Sequence, residues 1–131
     1  ERQVQAHGLS DRVVLAGYIP VNDFFRRIHA FVLCSRIENL PYSVMEAMAC
    51  GLCVVSTNVG GVPYLLTDGS DGLLVQPGDA EEMADSVRYL LTDPDAGRKL
   101  SQNARWKVES FDWSRILPEW IDLIEECING K

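Results

Sequence analysis

Apolar residues in this chain fall into short unbroken runs separated by polar or helix-patterned segments. Four such runs are Val13-Val14-Leu15-Ala16-Gly17-Tyr18, Ala30-Phe31-Val32-Leu33-Cys34, Leu52-Cys53-Val54-Val55-Ser56 and Gly72-Leu73-Leu74-Val75. Runs of this length suit strands buried on both faces, as in a parallel sheet. Glu1 to His7 reads as the end of a helix closed by Gly8. Asn22 or Asp23 can cap a helix running through Arg26 to His29, and Tyr42–Cys50 reads as a helix ended by Gly51. One helical turn is expected at Val62–Leu66 and a turn at Gly69–Gly72. Helices are then expected from Asp79 or Ala80 to Leu91, from Ala96 to Ser110 and from Arg115 to Asn129. Strand and helix alternate from residue 9 to about residue 91. The prediction is an α/β domain: a Rossmann-like, doubly wound parallel sheet with a helical C-terminal segment.

Ligands in such sheets bind beyond the C-terminal ends of the strands. Two expected loops lie there, Ser35–Pro41 and Thr57–Gly61. The first carries Glu38, and the helix after it carries Glu46. Ionised carboxylates accept hydrogen bonds from paired hydroxyls, so these acids are candidates for holding ribose or sugar. Each has a plainer reading. Ser43-Val44-Met45-Glu46 fits a capping box, which would occupy Glu46 at the helix start, and Glu38 fits a solvated loop acid. Asn39 tolerates positive φ, the helix start after Pro41 offers free N–H groups, and Gly60-Gly61 allows either close backbone approach to a ligand or a tight turn.

Composition narrows the classes. At 131 residues, with 47% apolar and 24% charged residues, the chain is sized for one domain. Twelve basic against nineteen acidic residues, the basic ones scattered, argue against a nucleic-acid surface. No apolar run is long enough to span a bilayer, and no secretory pattern opens the chain. The expected placement is cytoplasmic, with peripheral attachment at the inner membrane face as the alternative. Cys34, Cys50, Cys53 and Cys127 sit mostly in apolar context, as in reduced proteins. Cys50-Gly51-Leu52-Cys53 has C-x-x-C spacing, but its order is helix end, Gly, strand, and no second ligand pair follows. Buried packing is therefore preferred to redox or metal roles. A start within a helix suggests a partial domain cut from a longer protein.

The stretch E-N-L-P-Y-S-V-M-E-A-M-A-C-G-L-C-V-V-S-T-N-V-G-G-V-P, followed by D-G-S-D-G-L-L-V-Q-P-G-D, resembles the C-terminal domain of the family-4 GT-B glycosyltransferases. These retaining enzymes carry an E-x7-E motif, and here the likeness covers nearly the whole chain. The resemblance implies the donor-binding part of an enzyme that moves a sugar from a nucleotide-diphosphate sugar to an acceptor with retention. Glu46 then matches the acid that holds the donor ribose. Glu38 matches the catalytic-site acid on the donor sugar, and backbone at Asn39, Leu40 and Pro41 faces the sugar and diphosphate. No metal and no cofactor are implied.

Three departures stand out: Asn39 for Gly, Cys53 for Pro, and Tyr64 for an acid. The diphosphate-clamping Arg and Lys and the acceptor domain of the family would precede Glu1, leaving residues 1–131 inactive alone. Alternatives are a non-catalytic α/β ligand-binding or regulatory module, or a GT-B sugar-nucleotide epimerase. A phosphorylase would need a Schiff-base Lys near the motif. A truncated strand order would also leave an open sheet edge, favouring self-association.

Overall fold

The computed structural model describes residues 1–130. Three parallel strands, β1 (Ala30–Leu33), β2 (Cys53–Thr57) and β3 (Leu73–Val75), form one sheet in that order. Leu33 lies opposite Ser56, and Thr57 opposite Val75. The helices are α1 (Arg2–Ala6), α2 (Val21–Phe25), α3 (Tyr42–Ala49), α4 (Val62–Leu65), α5 (Ala80–Thr92), α6 (Pro94–Val108) and α7 (Trp113–Asn129). Consecutive residues Val54 and Val55 are both buried, and successive strand side chains point to opposite faces, so β2 is covered on both sides. α3, α5 and α6 pack against it. Val54 joins Val44, Ala47 and Met48 of α3, Leu65, Leu66 and Ala104 in the core. The expected Rossmann-like parallel α/β arrangement is present.

Two strand and helix expectations are corrected. Val13–Tyr18 is not a strand: it runs over the surface, with Val14 84% and Tyr18 93% exposed. Apolar composition does not make a strand without a partner for its backbone donors and acceptors. β1 pairs only with β2 among the described residues, so its other edge is open. The sheet therefore has three strands where four runs were expected. The helix expected to reach His29 ends at Phe25, and Pro20 rather than Asn22 or Asp23 stands at its start. Phe24 and Phe25 already anchor it against Phe31 and each other.

The helical C-terminal segment is present, with boundaries set by aspartates. Asp79 accepts the Glu82 N–H at 2.8 Å, and Asp93 accepts the Ala96 N–H at 3.0 Å. Asp93 thus ends α5 and starts α6 at a single residue, where a four-residue break was expected. Asp112 caps α7 two residues earlier than expected. It accepts both the hydroxyl and the N–H of Ser114, and those bonds hold its carboxyl below the usual carboxylate range. α6 is tied to the loop before β3 by Lys107, whose Nζ lies 3.0 Å from Asp71 Oδ2. Asp71 is buried and also accepts the Thr67 N–H at 2.6 Å, which compensates its desolvation.

The cysteines depart from the buried-packing expectation. Cys34, Cys50 and Cys127 are exposed, and only Cys53 is half-buried. Its thiol lies 3.0 Å from the Gly97 carbonyl, and burial pushes its pKa up. Cys50 and Cys53 are separated by the turn that closes α3, not joined in a redox pair.

Candidate functional site

α3 places Glu46. Its spacing turns Val44, Ala47 and Met48 onto the sheet, so Glu46 falls on the outer side and is exposed. The helix begins at Pro41, whose backbone is extended (ψ 110°), and no side chain caps it. Ser43 is thus inside the first turn and Glu46 a full turn beyond the start. The capping box is absent, and the competing use of the Glu46 carboxylate goes with it. The helix ends in a Schellman turn: Gly51 (φ 71°) donates to Met48 O at 2.9 Å, and Leu52 donates to Ala47 O at 3.0 Å. That turn feeds the chain into β2 directly beneath α3.

Glu46 stands at the edge of an apolar crevice of about 280 Å³. Gly17, Ile19, Phe24 and Phe31 form its walls, and Ser43 and Glu46 are its polar members. The sequence reading did not place Gly17, Ile19 or Phe24 here. The available signal was Pro20, which turns the chain straight after Ile19. A buried strand would commit the run to the sheet; unpaired, it lends its end to the crevice.

Glu38 lies half-buried in the loop after β1, between exposed Ile37 and exposed Asn39. Leu40 is exposed and Pro41 buried. Asn39 does not adopt positive φ; among the described residues only glycines do. The loop is shaped instead by the segment after β2. Thr57 Oγ1 donates to Ser35 O at 2.6 Å, and Gly61 N–H donates to Asn39 O at 2.6 Å. A Cβ on Gly60 would stand 1.8 Å from Glu38 O, and one on Gly61 would stand 2.1 Å from Asn39 O. Gly60-Gly61, expected to bring backbone close to a ligand, packs instead against the Glu38 loop.

A wider open groove of about 670 Å³ also touches Glu46, between α3, the turn Glu109–Phe111 and the start of α7. It holds Arg105 and Arg115. Arg105 lies 3.6 Å from Glu109 and also donates to Ala49 O, so its charge is partly engaged. Arg36 is exposed in the loop after β1. The apolar crevice is the better defined half of the site, because it combines shape with one unengaged carboxylate.

A parallel α/β sheet, with acids displayed just past β1 on a loop and a helix, defines a Rossmann-like domain. The chain belongs to the family described as glycosyl transferases group 1, whose pattern it matches over residues 1–107. It is 35% identical over 108 residues to an alpha-D-kanosaminyltransferase of Streptomyces kanamyceticus, covering 79% of this chain and 28% of that protein. It is 31% identical over 129 residues to the N-acetyl-alpha-D-glucosaminyl L-malate synthase of Bacillus anthracis, covering 94% of this chain and 34% of that protein. Among solved structures, the sucrose-phosphate synthase of Thermosynechococcus elongatus superposes with a TM-score of 0.89 at 30% identity, over 99% of this chain and 34% of that one. The chain thus spans about a third or less of the length of these two curated relatives.

Proposed function

We propose that this chain is the donor-binding part of a retaining glycosyltransferase that uses a nucleotide-diphosphate sugar. The observation that carries this reading is Glu46: exposed, uncommitted to the helix cap, and set on the rim of an apolar crevice. A flat base fits between apolar walls such as Ile19 and Phe24, and the adjoining ribose offers its paired hydroxyls to the carboxylate. Glu38, on the neighbouring loop, then meets the donor sugar and acts as the catalytic residue. Backbone at Asn39, Leu40 and Pro41 lines the path between them. The carboxylate of Glu38 stabilises positive charge developing at the sugar, and the departing phosphate takes the acceptor proton. Glu38 and Glu46 act without metal or cofactor in this scheme. The names of the two curated relatives support glycosyl transfer over an epimerase or a non-catalytic module.

The test is calorimetry on the complete polypeptide carrying residues 1–131, with UDP, GDP and ADP and their glucose conjugates, with and without EDTA. Binding of one nucleotide series, unchanged by EDTA, is expected. Binding of none would remove the donor-site reading. No helix among the described residues is long and apolar enough to cross a membrane. We place the enzyme in the cytoplasm, with peripheral contact at the inner membrane face as the alternative. The partner in this reading is an acceptor-binding domain of the same protein. Without it, the open β1 edge and the exposed apolar run at Val14 and Leu15 favour self-association of residues 1–131. Sedimentation should show mass rising with concentration, and a strict monomer would contradict this.

A further inference from the structure

We infer that Thr57, Gly60 and Gly61 are positioning residues that aim the backbone N–H groups of Asn39 and Leu40 at the donor; the inference rests on the donor-site reading above. Peptide geometry carries the first step. All peptide bonds in the described residues are trans, so each C=O points away from the N–H of the same peptide unit. The Asn39 carbonyl is held toward the glycine loop by the Gly61 N–H at 2.6 Å. The Leu40 N–H therefore points the opposite way. The Glu38 carbonyl is the part of Glu38 nearest the space a Gly60 Cβ would occupy, so the Asn39 N–H also points away from the loop. Neither N–H finds a backbone acceptor among the described residues.

Two adjacent, unpartnered donors with one orientation, on the loop that carries Glu38, suit an anionic group such as a diphosphate. Their direction is set from behind. Thr57 extends the β1–β2 register by one side-chain bond to Ser35 O, at the loop's entry. Gly61 fixes it again four residues later, at Asn39. Between these points the glycine backbone fills the space that a side chain would take. A Cβ at Gly61 would force the Asn39 carbonyl to move, turning the Leu40 N–H with it. Gly60 also adopts φ 53°, which other residues disfavour.

The experiment compares Gly61→Ala, Thr57→Val and Thr57→Ser in the complete polypeptide. Calorimetry is run with the preferred nucleotide sugar and with the matching nucleoside, which lacks phosphate and sugar. Loss of one hydrogen bond to a charged group weakens binding by roughly ten- to a hundredfold. Gly61→Ala is expected to weaken the nucleotide sugar by at least about tenfold and the nucleoside by less than about twofold. Thr57→Val should show the same split more weakly, and Thr57→Ser, which keeps the hydroxyl, should restore it. Because Thr57→Val changes no backbone, it tests the inference even if Gly61→Ala fails to fold. Equal loss for nucleoside and nucleotide sugar, or no loss in either folded variant, overturns the inference while leaving the donor site standing. Wild-type protein that binds none of these compounds removes the donor reading and the inference together.

Discussion

Glu46→Gln is expected to weaken nucleoside, nucleoside diphosphate and nucleotide sugar alike, by roughly ten- to a hundredfold. A hydrogen bond to a charged acceptor contributes about 1.5–3 kcal/mol, and each 1.4 kcal/mol is about tenfold in affinity. Glutamine keeps the length and one acceptor but turns the second oxygen into a donor, which cannot receive the second ribose hydroxyl. The helix itself should be unaffected, because Glu46 takes no part in its cap. Glu38→Gln should behave differently. Nucleoside affinity is expected to stay within about twofold of wild type, while the turnover number falls by about 100-fold or more. The difference follows from placement: Glu46 borders the apolar crevice, whereas Glu38 lies on the loop outside it. Calorimetry and initial-rate measurements on the complete polypeptide separate the two effects. Near-wild-type rates in both variants would refute the site assignment.

The same pair shows how far the residue pattern alone could be read. The helix holding Glu46 was legible because its apolar spacing is clear and Gly51 marks its end. Whether Glu46 capped that helix was not legible. Ser43-Val44-Met45-Glu46 has the right spacing for a cap, and only the position of Pro41 at the helix start decides against it. The strands at Ala30 and Cys53 were legible as apolar runs, but only the second is buried: β1 lies at the open edge with Val32 41% exposed. Val13–Tyr18 has equal apolar content yet remains unpaired, because strand formation depends on a neighbour that composition does not reveal. Gly60-Gly61 was legible as a place of close backbone approach, but toward a ligand rather than toward the Glu38 loop. What it approaches is a tertiary fact, set by the register of β1 against β2. The pairing of Lys107 with buried Asp71 spans 36 positions and has no local signal.

Met48→Ala is expected to lower stability by about 2–5 kcal/mol. Such a loss is a large share of the roughly 5–15 kcal/mol that holds a domain folded. Met48 is fully buried and is the largest such side chain in the core, packed with Val44, Val54, Leu66 and Ala104. Truncation removes the transfer energy of its side chain and leaves a void that α3 and β2 cannot both close, since β2 is fixed on each side by ladder bonds. Leu91→Ala supplies the contrast: Leu91 is 72% exposed at the end of α5, and a change within about ±0.5 kcal/mol is expected. Urea unfolding of residues 1–131 measures both, and an unchanged denaturant slope would assign the loss to the folded state. A Met48→Ala loss below about 1 kcal/mol would contradict the packing described. The residue also links fold to site. Met48 lies two positions from Glu46 on a helix of eight residues, so the contact that anchors α3 to the sheet is what holds the Glu46 carboxylate at the crevice rim. Nucleoside affinity per folded molecule should therefore fall in Met48→Ala and hold in Leu91→Ala.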